Sequence, residues 1–430
     1  MGPALIFDKS FLESLNPDEA MWLDNFFLCN ITPLFFIETL ADLEKDVRKG
    51  RTPESIVGSL AYRTPDQHSQ PNIYHRHLLE GELLAKGTVD MKYGRPHIGG
   101  GRTVTLGGQT GVFFQASPEV QALQRWRDFK FLELERLQAK AWREGLSGVD
   151  LDGHYKYFQT FFPLGKPKTL DDVKRFTDFY VSNPDQERLL IFGLTLMGVL
   201  PDAQEEVIKR WKLANRPPLK EFAPYFMHIF AVDLFFYLAI AADLIGRGRP
   251  SHKIDLAYLY YLPFCKIFTS NDKLHEAIAP YFLRSNQSFV SGKDLKADLA
   301  QLDAHFSALP EEIKERGVMS FAHYPPHDES FLVTRLWDKH MSKKWRDRTM
   351  PIPNPTSPVG KELMDRIRQL EREGKPVTND QLGHSDESDQ LIIKRNVRVY
   401  MGKWKRFPPE VVNRQKNVEG EGDWEDTPTA

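Results

Sequence analysis

Two short apolar runs, each followed by an aspartate, limit most strongly what this chain can fold into. Residues 4–7 (Ala-Leu-Ile-Phe) are followed directly by Asp8, and the run at residues 264–269 is followed shortly by Asp272. A short apolar run between polar residues is typical of a buried strand. In open parallel α/β sheets, ligands bind beyond the carboxyl ends of the strands. The sequence therefore predicts an α/β fold in which both aspartates face one cleft.

Two further acids lie on helices that flank these strands. A Thr-Pro pair at residues 32–33 is typical of a helix start, with Thr as N-cap and Pro at the first helical position. That helix carries Glu38 and Asp42 on one face. Asp255 opens a strongly apolar helix that leads into the strand before Asp272, because the gap of 17 residues (272 − 255) fits one helix and one strand. We expect these acids to join the same cleft.

Several carboxylates held together favour a bound cation. They repel one another and would keep their protons unless a positive charge offsets them. Mg²⁺ and Mn²⁺ prefer carboxylate and water oxygens, and a bound ion can activate water for phosphoryl displacement. A covalent nucleophile is not indicated, because the sequence has no G-x-S-x-G elbow and no convincing Cys/His pair. The predicted catalytic residues and ligands of Mg²⁺ or Mn²⁺ are Asp8, Glu38, Asp255 and Asp272.

Each acid also has a structural explanation. Asp8 and Asp272 could cap turns at strand ends, and Asp255 could be a first-turn acid favoured by the helix dipole. Glu38 is harder to explain in this way, because it lies among apolar residues where an unpaired carboxylate is costly to bury. Asp233, inside an apolar run, is either a further site residue or a carboxylate satisfied by a neighbouring Arg or His. The secondary candidates are Asp42, Asp233, Ser10 and Ser270.

In their order and types, these residues resemble the PIN-domain nucleases. The matching elements are LIFDKSFL around Asp8, FFIETLADL around Glu38, and IDLAYLYYLPFCKIFTSND from Asp255 to Asp272 with its closing Ser-x-Asp. The resemblance implies a three-layer α/β/α core around a mainly parallel sheet, whose acids bind Mg²⁺ or Mn²⁺ and hydrolyse phosphodiesters, most often in RNA. It covers roughly residues 1–48 and 250–300. About 200 residues separate Glu38 from Asp255, far more than in a minimal PIN domain.

The resemblance divides the chain into five parts. They are a first part of the PIN-like core (1–60), a mixed and mostly helical insertion (61–220), a second part of the core (221–310), a helical extension (311–350), and a linker, short helix and disordered tail (351–430). Glycines between residues 99 and 111 are expected in hairpin turns, because Gly-Lys-Ser/Thr is absent. A helix is predicted from Ser117 to about Gly145, with an apolar stripe at Val120, Leu123, Trp126, Phe129, Leu132, Leu134 and Leu137.

Composition adds few limits. The formal net charge of −2 gives no overall nucleic-acid signature, so a basic surface would have to be local. Cys29 and Cys265 each lie in an apolar segment, which predicts buried thiols and neither a disulfide framework nor a zinc site.

The N-terminus lacks the pattern of a signal peptide. The apolar stretch 227–246 contains Asp233 and Asp243, which favours a buried helix over a membrane span. We therefore expect a cytoplasmic protein without a membrane partner.

The sequence thus predicts a divalent-metal-dependent nuclease that acts on RNA. A PIN-like scaffold that has lost catalysis and binds RNA or protein is the alternative from another functional class. A phosphatase of the haloacid-dehalogenase type would also begin with an aspartate after an apolar strand. That class normally has a second aspartate two residues later, where this chain has Ser10, so it is disfavoured.

Overall fold

The structure is a computed structural model. It describes residues 2–47, 50–84, 89–91, 94–98, 101–106, 109–114, 117–147, 153, 166–246, 252–347, 358–376 and 397–408.

Five parallel strands form the central sheet. They are β1 (Ala4–Phe7), β2 (Leu28–Ile31), β3 (Gln70–Pro71), β6 (Ile267–Ser270) and β7 (Ser288–Ser291), in the spatial order β3-β2-β1-β6-β7. All four pairings are parallel. Two smaller sheets consist of β4 (Gly101–Leu106), β5 (Gln109–Phe114) and β8 (Lys375–Pro376), and of β9 (Tyr400–Met401) and β10 (Trp404–Lys405). The predicted α/β class with a parallel central sheet is confirmed.

Helices connect and flank these strands. In the first half they are α1 (Lys9–Ser14), α2 (Pro17–Phe26), α3 (Pro33–Val47), α4 (Pro53–Arg63), α5 (His75–Leu83), α6 (Pro118–Arg127), α7 (Glu133–Ser147), α8 (Leu170–Val181) and α9 (Gln186–Leu196). In the second half they are α10 (Pro201–Leu213), α11 (Leu219–Phe222), α12 (Pro224–Ala241), α13 (His252–Tyr258), α14 (Lys273–Ile278), α15 (Gly292–Ser307), α16 (Glu311–Lys314), α17 (Val318–Phe321), α18 (Leu332–His340) and α19 (Pro358–Glu373). Short 3-10 turns lie at Leu259–Phe264, Ala279–Tyr281 and Lys343–Trp345.

Apolar cores lie on both faces of the central sheet, because side chains alternate along each strand. Leu5 and Phe7 pack with residues of α2, α4 and α15 in one buried cluster. Ile6 and Phe268 point the other way and pack with α5, α12 and α13 in a second cluster. Helices therefore cover the sheet on both sides, which is compatible with three layers.

Helix α12 is the most apolar helix of the second core. By length and composition alone it could cross a membrane, but 83% of Pro224–Ala241 is buried inside the protein. Such burial is the pattern of a core helix, as the acids within the stretch predict. Cys29 and Cys265 are also buried free thiols, as predicted.

The region predicted as an insertion contains part of the central sheet. Strand β3 pairs with β2 at Asn30 and Ile31, so the sheet continues past residue 60. Strands β4 and β5 form an antiparallel hairpin, and helices follow from Pro118 onwards.

The apolar stripe predicted after Ser117 is only partly buried. Leu123 and Trp126 are buried in α6, as expected. The helix then ends, and a turn in which Phe129 has a positive φ of 54° leads to α7. Val120 is half-buried, whereas Phe129, Leu132, Leu134 and Leu137 are exposed. The prediction of one continuous helix was wrong, because a turn at residues 128–132 separates α6 from α7.

The C-terminal part is more structured than predicted. Residues 397–408 contain the hairpin β9–β10, whose strands pair Trp404 with Met401. Trp404 packs edge-on against Trp22 of α2, with ring centroids 4.8 Å apart. The short helix predicted after the linker is confirmed as α19. The predicted disordered tail lies outside the described residues.

Candidate functional site

The strand order places the carboxyl ends of β1 and β6 at the centre of the sheet. β1 pairs with β2 on one side and with β6 on the other, so chain connections lead away from these two strands in opposite directions. Phe7 lies beside Thr269, and therefore Asp8 and Ser270 follow at the same edge. Ligands of open parallel sheets bind in the crevice at such a topological switch point. Both predicted strand ends thus meet where this fold offers a binding site.

The Asp8 carboxylate is buried and held by uncharged donors. It is 5% exposed. As N-cap of α1, its Oδ1 accepts a hydrogen bond from Phe11 N at 3.0 Å. Its Oδ2 accepts from Ser10 Oγ at 2.6 Å and from Ser270 Oγ at 2.9 Å. The two serines named as secondary candidates therefore both orient Asp8.

His275 was not predicted, yet it joins the site. It is 1% exposed, and its Nδ1 lies 2.7 Å from Ser270 Oγ and 4.0 Å from Asp8 Oδ2. Its Nε2 lies 2.6 Å from the main-chain oxygen of Asp255. His275 is the third residue of α14, and side chains at this position reach back towards the residues before the helix. Its contacts with Ser270 and with the main chain of Asp255 left no periodic signal in the sequence.

Glu38 of α3 is paired with a tyrosine. Tyr258 donates a hydrogen bond from its hydroxyl to Glu38 Oε2 at 2.8 Å. Burial is the main cause that raises the pKa of Glu38 to about 7. The charges of Asp8 and Asp42 act in the same direction, and Lys9 and the Tyr258 hydrogen bond act against it. A carboxyl group in a cleft whose pKa is raised to near 7 is a recognised sign of a functional site.

Tyr258 lies within the electrostatic influence of three of the four predicted acids. Burial raises the pKa of Tyr258 well above its ordinary value, and the negative charges of Glu38, Asp8 and Asp255 raise it further. Tyr258 ends α13, while Asp255 lies in the first turn of that helix. The structure thus places Glu38 in contact with the Tyr258 hydroxyl, and Asp8 and Asp255 act on it as nearby charges.

Lys9 brings a positive charge into the same cleft. It is 5% exposed, and its Nζ lies 3.2 Å from Asp42 Oδ2 and 3.6 Å from Glu13 Oε1. Burial opposes its charge, but Asp42, Glu13 and Glu38 outweigh burial and raise the pKa of Lys9. Asp42 is therefore the partner of a buried lysine and not a solvated helix residue.

Asp272 lies beside the cluster but uses its carboxylate locally. As N-cap of α14, its Oδ1 accepts from Leu274 N at 2.6 Å. Its own main-chain N–H donates to Ser270 Oγ at 2.9 Å, which links it to Asp8 through the serine. The capping explanation offered for a strand-end aspartate therefore applies to Asp272, and also to Asp8.

Asp233 of α12 is held by a different set of partners. It is buried, and Lys253 Nζ donates to its Oδ1 at 2.6 Å. The Tyr260 hydroxyl donates to the same oxygen. Its compensating charge is a lysine and not the arginine or histidine expected from sequence. This arrangement explains Asp233 as a satisfied core carboxylate.

The cleft contains oxygen donors of the kind that hard cations prefer, but no preformed metal-binding group within the described residues. Among the residues that the structure describes, no group of three or more His, Cys, Asp or Glu side chains is placed to hold a metal ion. The cleft nevertheless offers carboxylate oxygens from Asp8 and Glu38 beside the Tyr258 hydroxyl, and Mg²⁺ prefers such oxygens. Mg²⁺ is often bound by one or two carboxylates, with water and substrate phosphate as its other ligands. A cation held by few protein ligands is compatible with this cleft.

Comparison with known proteins adds no relative. No family model, no curated protein and no solved structure matches this chain. The resemblance to PIN-domain nucleases therefore depends on the quoted motifs alone.

Proposed function

We propose that this protein is a PIN-like nuclease, dependent on Mg²⁺ or Mn²⁺, that hydrolyses phosphodiester bonds in RNA. The observation that carries the proposal is the buried Asp8 carboxylate bound to Ser270 at the switch point of the sheet, with Glu38 hydrogen-bonded to Tyr258 of the helix that also carries Asp255. The parallel α/β core and the order of the acids along the chain support it. RNA as substrate comes from the motif resemblance.

Asp8 and Glu38 would be the protein ligands of the cation. Asp8 is fixed in orientation by Ser10 and Ser270, so it presents its carboxylate without an entropic cost of ordering. Glu38 would act as a second ligand, since a bound cation favours its ionised form. When bound, the ion would neutralise phosphate charge and activate water.

Lys9 and Tyr258 would keep the cleft ordered before substrate arrives. The Lys9 ammonium offsets part of the acidic charge through Asp42. Tyr258 holds Glu38 by a hydrogen bond and is itself buried. The Asp8 carboxylate is held by hydroxyl and main-chain donors, so its negative charge would attract a cation.

Cleavage of single-stranded RNA in millimolar Mn²⁺ tests the proposal. Asp8→Asn keeps the shape of the side chain and removes its charge, so it should abolish Mn²⁺-dependent cleavage while the fold persists. Asp178→Asn is the matched control, because Asp178 is an exposed acid of α8 that contacts Lys174. Equal cleavage by the wild type and by Asp8→Asn would indicate a contaminating nuclease and overturn the proposal.

A catalytically inactive PIN-like scaffold is the second candidate. One observation favours it: Lys9 occupies the acidic cleft, and the described residues contain no preformed three-ligand group. This candidate predicts binding of RNA without cleavage and no rise in melting temperature with Mn²⁺. A rise of several degrees that Asp8→Asn removes would exclude the scaffold.

A further inference from the structure

An unbroken chain of hydrogen bonds runs from the main chain of α13 to the Asp8 carboxylate. It starts at the main-chain oxygen of Asp255, passes through both ring nitrogens of His275, continues to Ser270 Oγ and ends at Asp8 Oδ2. Its three distances are 2.6, 2.7 and 2.9 Å. The chain thus connects the helix that carries Asp255 with the strand end that carries Asp8.

Hydrogen-bond chemistry limits how this chain can be arranged. A carbonyl oxygen only accepts, so Nε2 of His275 carries a hydrogen that it donates to Asp255. Ser270 has one hydrogen, which lies within reach of both Asp8 Oδ2 and His275 Nδ1. Either the serine hydroxyl donates to both acceptors as a bifurcated donor, or both ring nitrogens carry a hydrogen, Nδ1 donates to the serine and the serine donates to Asp8. In both arrangements the serine oxygen stays between the ring and the carboxylate.

Packing fixes the ring as well. The His275 ring lies edge-on to Phe268 at 5.1 Å and to Tyr258 at 5.6 Å between centroids. The residue is 1% exposed, so water does not replace its partners. A ring held by two hydrogen bonds and two aromatic contacts has one orientation available.

We propose that His275 is a positioning residue, which sets the orientation of the Asp8 carboxylate through Ser270 and ties it to α13. Groups that orient metal ligands typically change metal affinity by 10- to 100-fold when they are removed. The consequence for a cation rests on the proposed function, whereas the consequence for the Asp8 carboxylate does not. His275 itself would touch neither metal nor substrate.

Two substitutions of His275 distinguish its Nδ1 contact with Ser270 from its Nε2 contact with Asp255. In His275→Asn, the amide lies near the former Nδ1 and can still reach Ser270, whereas the link to Asp255 is lost. In His275→Gln, the amide lies near the former Nε2 and can still donate to Asp255, whereas the link to Ser270 is lost. The control is His228→Gln, because His228 Nε2 also contacts a main-chain oxygen, that of Leu259 at 2.9 Å.

The first measurement is the carboxyl ¹³C chemical shift of Asp8 in metal-free protein. We expect His275→Gln to move this signal, His275→Asn to move it less, and His228→Gln to leave it in place. Ser270→Ala should also move it and serves as the second variant if His275→Gln fails to fold. An unchanged Asp8 signal in the folded His275→Gln or Ser270→Ala protein would overturn the inference, whether or not the protein binds metal.

The second measurement is the Mn²⁺ concentration that gives half of the rise in melting temperature. His275→Gln should need roughly 10- to 100-fold more Mn²⁺ than the wild type, with His275→Asn between them. Wild-type affinity in His275→Gln would count against positioning. A wild type without any Mn²⁺ response would instead count against the proposed function, and the carboxyl signal would still decide the role of His275.

Discussion

Two acidic clusters lie at opposite edges of the central sheet. The Asp8 cluster (Asp8, Glu38, Asp255, Lys9 and Tyr258) lies at the carboxyl edge, since Asp8 follows β1 directly. The Arg406 cluster (Asp24, Asp66, Arg127, Arg398 and Arg406) lies at the amino edge, since Asp24 stands near the end of α2, just before β2, and Asp66 shortly precedes β3. Both clusters combine buried and half-buried side chains, but they compensate their acids in different ways.

The Arg406 cluster pairs two acids with three guanidinium groups. Arg406 is fully buried, contacts Asp66 and lies 2.8 Å from Asp24 Oδ2. Arg398 Nε lies 2.9 Å from Asp66 Oδ2, and Arg127 lies 3.4 Å from the same oxygen. Burial opposes ionisation of Asp66, but Arg406, Arg398 and Arg127 outweigh it and lower its pKa. Because these charges are satisfied internally, the cluster fixes residues 397–408 to the core.

The Asp8 cluster compensates its acids mainly with hydroxyl groups and one ammonium. Hydroxyl donors stabilise a carboxylate less than guanidinium groups, because they carry no net charge. Burial raises the pKa of Glu38 because Lys9 and Tyr258 offset it only in part, whereas three arginines outweigh burial at Asp66 and lower its pKa. Burial also raises the pKa of Asp24, where Arg406 offsets it only in part, so the arginines, and not burial, distinguish the two edges.

The largest expected effect comes from breaking the Arg406 cluster. Arg406→Met would leave Asp24 and Asp66 buried with fewer charges to offset them, and removing one member of a buried pair typically costs about 3–5 kcal/mol. Urea unfolding should show this loss. Arg175→Met is the control, since Arg175 is exposed and pairs with Asp172 on the surface. A loss below about 1 kcal/mol would show that the cluster does not stabilise the fold.

The next effect concerns pH and the Asp8 cluster. The pKa of Glu38 rises from 4.5 to about 7 on folding, so the folded state binds more protons than the unfolded state between these values. The free energy of unfolding should therefore fall as pH rises through this window. Glu38→Gln cannot ionise, so at pH 8 it should be more stable than the wild type by up to about 3 kcal/mol.

Unfolding of wild type and Glu38→Gln at pH 4.5, 6 and 8, without metal, checks this expectation. The difference between the two proteins isolates Glu38 from other titrating groups. Glu54→Gln, on the exposed first turn of α4, controls for loss of an acid. A difference that does not change with pH would mean that Glu38 ionises as freely in the folded chain as in the unfolded one.

Metal addition should act on one cluster only. A ligand at 100 times its dissociation constant stabilises the folded state by about 2.7 kcal/mol. Mn²⁺ should therefore stabilise the wild type, and also Arg406→Met despite its lower starting stability, but not Asp8→Asn. Chelation should reverse the gain. Loss of the Mn²⁺ response in Arg406→Met as well would show that the two edges are not independent.

The Asp8 cluster could be predicted from sequence to a large extent, because strand ends and helix starts leave local signals. Apolar runs before Asp8 and Asp272 predicted β1 and β6, and the Thr-Pro pair predicted that α3 begins at Pro33. The expected side-chain cap is not formed, since Thr32 Oγ1 is buried and, within the described part of the chain, has no hydrogen-bond partner. Periodicity located the element correctly but could not show which bonds it makes.

The Arg406 cluster and His275 could not be predicted, because they depend on contacts between distant residues. Arg406 lies 382 positions from Asp24 in the chain. Its segment carries Lys403, Trp404 and Lys405, a pattern typical of an exposed nucleic-acid surface, yet Trp404 is buried. His275 depends on a hydroxyl of β6 and a carbonyl of α13. Pairings of this kind have no sequence period, so only the folded chain reveals them.

The smallest expected effect is that of Asp42→Asn, which tests how Lys9 serves the Asp8 cluster. Lys9 would lose its 3.2 Å partner but keep Glu13 and the nearby charge of Glu38. The loss of stability should therefore be about 1 kcal/mol, close to the upper limit for an exposed ion pair and well below that for a fully buried one. Because Lys9 would then be drawn towards Glu38, RNA cleavage should fall several-fold without being abolished.

The control is Asp178→Asn, which breaks the exposed pair with Lys174 on α8. It should change stability by less than Asp42→Asn does and leave cleavage unchanged. Complete loss of cleavage in Asp42→Asn, at wild-type stability, would place Asp42 among the cation's ligands. Lys9 would then be its competitor and not its partner, and the carboxyl edge would depend on metal for the charge that the amino edge obtains from arginine.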